Sequence, residues 1–83
     1  MKDFLTISST KKIKVDKWNY IYCIKKKPTD KVPDGFHAEW YYPTLEQCYN
    51  DLLECFTKDS DKESLVDKVK EAVELLEKVK VKV

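Results

Sequence analysis

The chain has 83 residues, 37 % of them charged and 42 % hydrophobic, with a formal net charge of +1. That length allows one domain (1–83) near the lower limit for independent folding, and the composition suits a soluble globular chain and argues against disorder. No apolar run approaches the about 18 residues of a membrane span, and Met1-Lys2-Asp3-Phe4 lacks the apolar stretch of a secretory leader, so a cytoplasmic protein without a membrane partner is expected.

All 16 basic residues are Lys. Arg, the residue suited to bidentate phosphate and guanine contacts, is absent, which argues against sequence-specific DNA reading. Charge is uneven: residues 1–42 carry nine Lys against five acids, and residues 43–83 carry seven Lys against ten. Cys23, Cys48 and Cys55 form no CxxC pair and His37 is the only histidine, so the thiols read as small buried hydrophobes. No metal and no cofactor is expected.

In chain order, Phe4–Ile7 favours β structure, and Ser8-Ser9-Thr10 reads as a turn. Lys12–Asp16 alternates apolar and polar residues. Trp18–Ile24, aromatic and β-branched on both faces, predicts a central strand. A polar loop over 25–35 holds Pro28, Pro33 and the only glycine, Gly35, at a position expected to need positive φ. Phe36–Tyr42 alternates again, which predicts Phe36, Ala38, Trp40 and Tyr42 on one side of a strand paired with 18–24.

Pro43 then keeps Tyr42 extended, and Thr44 with Gln47 has capping-box spacing. From there the period becomes helical: Leu45, Cys48, Tyr49, Leu52, Leu53 and Phe56 predict a first helix over 44–57. Ser60 with Glu63 offers a second capping box, and Leu65, Val69, Ala72, Val73, Leu76 and Val79 predict a second helix over 61–80. Two readings stay open at 79–83: a fraying helix end, favoured because nothing breaks the helix before it, and an edge strand. The expected architecture is α+β, with three or four antiparallel strands and two amphipathic helices packed on one sheet face.

Catalysis finds little support. His37 and Glu39 share a strand face, but no activated-nucleophile pattern, phosphate loop or metal motif accompanies them. The aromatic group Trp18, Tyr20, Tyr22, Trp40 and Tyr41 is the main binding candidate, read either as core or as interface anchors, with Lys25, Lys26 and Lys27 at the rim. Lysines beside aromatics also suit single-stranded nucleic acid, which stays open as an alternative.

The run Tyr41-Tyr42-Pro43-Thr44-Leu45-Glu46-Gln47, followed by Cys48-Tyr49-Asn50-Asp51-Leu52-Leu53, resembles small bacteriophage and prophage accessory proteins of unknown function. In these a few strands lead through such a junction into an amphipathic helix. The resemblance implies a phage-type, non-enzymatic protein in a bacterial host cell. The expected partner is a host protein, such as a CRISPR effector or another defence nuclease complex, inhibited by steric occlusion. A structural homodimer, joined along an edge strand or through the second helix, is the third reading.

Overall fold

Four antiparallel strands pair in chain order in the computed structural model, which describes residues 2–83: β1 (Lys2–Ser8), β2 (Lys11–Val15), β3 (Tyr20–Lys25) and β4 (Phe36–Tyr42). Three helices follow, α1 (Leu45–Asp59), α2 (Leu65–Leu75) and α3 (Glu77–Lys82). The fold is α+β, as the patterning predicts. β1 and β4 are the sheet edges, and β3 lies between β2 and β4.

The strand expected from Trp18 begins at Tyr20. Asp16 is the reason: its carboxylate accepts from the backbone N–H of Trp18 (2.8 Å) and of Asn19 (2.7 Å), closing an Asx-type turn that holds both residues out of the ladder. Gly35 has φ +78°, the left-handed conformation that its position in the loop predicts.

β4 departs from simple alternation. Tyr22 pairs with Trp40 but Cys23 pairs with Ala38, so Glu39 is an extra residue, a β-bulge. One extra residue reverses the facing of everything beyond it. Trp40 and Tyr42 therefore lie on the helix side, Trp40 stacked on Tyr22 at 5.9 Å between ring centroids. Phe36 and Ala38 join Ile21 and Cys23 on the opposite side. The single-sided set Phe36, Ala38, Trp40 and Tyr42 is thus corrected.

The helix layer forms as the apolar stripe dictates. Thr44 caps α1, its hydroxyl accepting from Gln47 N–H at 3.2 Å, and Leu45, Cys48, Leu52 and Phe56 are buried against Ile13, Tyr22 and Tyr42. The second helix starts later than expected. Ser60 is engaged elsewhere, donating to Glu71 Oε2 (3.1 Å) and accepting from Lys62 N–H (3.2 Å). Ser64 caps α2 instead, accepting from Asp67 N–H at 3.1 Å. The helix expected to run to 80 breaks at Leu76 (φ −100°, ψ 11°), and α3 then lies against β1 and α1, which buries both Leu76 and Val79. Residues 77–82 are helical, so the edge-strand reading of 79–83 is set aside.

Candidate protein-binding surface

The aromatic candidates do not form one face. Tyr22 is buried beneath α1, edge-on to Phe56, and Tyr20 is half-buried, edge-on to Phe4 at 5.5 Å. Tyr22 therefore belongs to the core and is not an accessible anchor, while Tyr20 packs against that core and stays partly exposed. β3 points these residues toward the helix layer, a direction that strand alternation alone leaves undetermined. Trp18 is 75 % exposed in the β2–β3 turn, with Lys17 Nζ 5.2 Å from its ring centre.

Trp40 and Tyr41 are brought together. They are neighbours on edge strand β4, 43 % and 56 % exposed, and point to opposite faces of the sheet. Among the described residues, β4 makes no backbone–backbone hydrogen bond beyond its pairing with β3, so its outer edge is open. Bulges interrupt both edge strands, which disfavours continuous strand addition at either edge.

Lys25, Lys26 and Lys27 lie at the far end of β3 from Trp18, roughly 20 Å away along an extended strand. Lys26 Nζ sits 3.4 Å from Glu39 Oε2, which brings it beside Trp40. Lys25 Nζ lies 5.5 Å from the Phe36 ring, and Lys27 offers its carbonyl to His37 Nε2 at 2.8 Å. Other lysines of the strand half are also engaged: Lys12 pairs with Asp3 (2.9 Å), and Lys14, nearly buried, pairs with Asp34 (2.7 Å).

Cys23 lies on the face opposite His37, so they form no thiol–imidazole pair. Burial pushes the Cys48 thiol up to about 12, with Asp51 adding to it, and burial also raises Cys23 and Cys55. Tyr42 is raised first by burial and then by its hydrogen bond to Asp51 Oδ2 at 2.6 Å. Among the described residues, no group of three or more His, Cys, Asp or Glu side chains is placed to hold a metal ion.

A second surface lies on the second helix, which the homodimer expectation named without singling out residues. Of the nine large apolar side chains exposed among the described residues, six lie in 65–83. Leu65, Val66 and Val69, with the half-buried Val73, leave the first half of α2 apolar and uncovered. Periodicity places Leu65 and Val69 in the apolar stripe of the second helix, but it cannot tell whether a stripe is covered by its own chain. Comparison with protein-family models, curated proteins and solved structures yields no match.

Proposed function

We propose that the chain is a non-enzymatic protein-binding module that sterically occludes its partner through Trp40 and Tyr41 on the open edge of β4. The observation that carries this reading is their adjacency: two exposed aromatic residues, one toward each face, on an edge strand of the sheet. Large, stiff side chains with a polar tip bury much area for little lost rotamer freedom, which is why they dominate interface energetics. Lys26 and Glu39 form the polar rim beside them. The resemblance at Tyr41–Gln47 supplies the choice of partner: a host defence protein such as a CRISPR effector, met in the cytoplasm of a bacterial host.

Truncating a true anchor costs about 2 kcal/mol or more in binding. Tyr41→Ala is the cleaner variant, because Trp40 also stacks on the buried Tyr22. Binding that weakens steeply and log-linearly with salt would instead mark a phosphate partner. The engaged state of Lys12, Lys14 and Lys26 weighs against that alternative. A second reading, a homodimer joined through α2, draws on the uncovered Leu65, Val66 and Val69. Sedimentation across a range of concentrations tests it.

A further inference from the structure

The connection 26–35 is longer than the about two to five residues that close most hairpins, and its end folds back over the sheet. Asp34 reaches past β3 to β2, where its Oδ2 accepts from Lys14 Nζ at 2.7 Å while Oδ1 accepts from Phe36 N–H at 3.0 Å. The Lys14 side chain is only 9 % exposed. Lys12 Nζ lies 4.1 Å from the centre of the Phe36 ring, which holds that ring against the same face. Beneath them Ile21 and Cys23 are fully buried, although the helices cover only the other side of the sheet.

From this arrangement we infer that residues 26–35 are a releasable strap, latched by the Lys14–Asp34 ion pair, that covers a second apolar face made by Ile21, Cys23 and Phe36. Two features make the strap separable. The cluster it covers shares no residue with the helix-side core, so it opens without disturbing α1 or α2. Beyond the latch, among the described residues, the strap is tied only near its base, by Lys26 N–H to Gly35 C=O at 2.7 Å, by His37 Nε2 to the Lys27 carbonyl at 2.8 Å and by the exposed Lys26–Glu39 pair at 3.4 Å. Thr29 and Val32 exchange hydrogen bonds only within the strap (3.0 and 3.1 Å). Tyr41 lies next to Ile21 in register, so a released strap lengthens the apolar surface beside Tyr41. The latch itself stands apart from the binding reading.

Two variants attack the strap independently. Asp34→Ala removes the latch. Gly35→Ala strains the base, because the backbone sits at φ +78° and an added Cβ would lie 2.7 Å from the Lys26 carbonyl. Cys23 reports opening and Cys48, in the other core, is the internal control. Iodoacetamide labelling of the full chain, followed per cysteine by mass spectrometry, should show Cys23 at least tenfold faster in both variants while Cys48 stays slow. Cys23 no faster than in the parent would overturn the strap. Cys48 accelerating in step with Cys23 would also overturn it, since opening would then be global. No partner is needed, so failure of the binding reading leaves this result intact.

Discussion

Leu76→Ala and Leu65→Ala delete the same atoms from one predicted apolar stripe, yet the structure assigns them very different costs. Leu76 is fully buried among Ala72, Val79 and the residues of α1, whereas Leu65 is 69 % exposed. Emptying a buried leucine site costs about 2–5 kcal/mol. A domain this small commands roughly 3–5 kcal/mol in all, so Leu76→Ala should remove most of its stability. For Leu65 about a third of the side chain is buried, and a third of the roughly 1.5–3 kcal/mol for full burial leaves about 0.5–1 kcal/mol. At about 4–8 °C per kcal/mol, the expected melting shifts are ten degrees or more against a few. Thermal circular dichroism at low micromolar concentration measures both. Equal losses would refute the reasoning, because Leu65 would then be packed as deeply as Leu76. A Leu65 cost that grows with protein concentration would show the α2 face to be covered by a second copy.

Three further outcomes follow from single contacts. Thr44→Ala should cost about 1 kcal/mol in chemical denaturation, since it removes the hydroxyl that caps α1; no loss would mean that Pro43 and the stripe alone set the helix start. Tyr42→Phe deletes a charge-assisted bond to Asp51 and should cost about 1–2 kcal/mol at neutral pH. Tyr22 and Tyr42 are both raised in the folded state, so the stability they contribute is complete below the ordinary tyrosine value of 10.0. It is lost as pH rises further, because the unfolded chain ionises first, and a flat stability profile from pH 9 to 11 would contradict this.

Acid acts on the other face. Asp34 is lowered by its hydrogen bonds from Lys14 and the Phe36 N–H, with Lys12 assisting, so its contribution is present above the ordinary carboxylate range and lost as pH falls through the depressed value. Cys23 should label faster there relative to Cys48, after correction for the slower chemistry of protonated thiols; an unchanged ratio would show that the ion pair does not hold the strap.

The start of α1 was legible because its signal is local: Pro43, Thr44 and the change of period all lie within a few residues. Placing Trp40 and Phe36 on one side failed because the bulge at Glu39 exists only relative to β3, so no property of 36–42 alone reveals it. The start of α2 was ambiguous in the sequence itself, since Ser60 and Ser64 are each followed three residues later by an acid. The tie from Ser60 to Glu71, eleven residues on, decides between them. Lys14 occupies a polar position of an alternating strand, and its near burial and its pairing with Asp34, which reaches across β3, are not visible in the strand's own pattern. Of the proposed anchors, Trp40 and Tyr41 are accessible together, while Tyr22 is in the core and Tyr20 packs half-buried against it, because the direction of the helix layer is a tertiary fact.

The most direct test of the binding account is affinity capture from nuclease-treated bacterial lysate with the parent chain, Trp40→Ala and Tyr41→Ala, each checked for folding by circular dichroism. The account predicts one stoichiometric protein that survives nuclease with the parent and is lost with both variants. Capture that vanishes on nuclease treatment, or that persists undiminished in both folded variants, would contradict it.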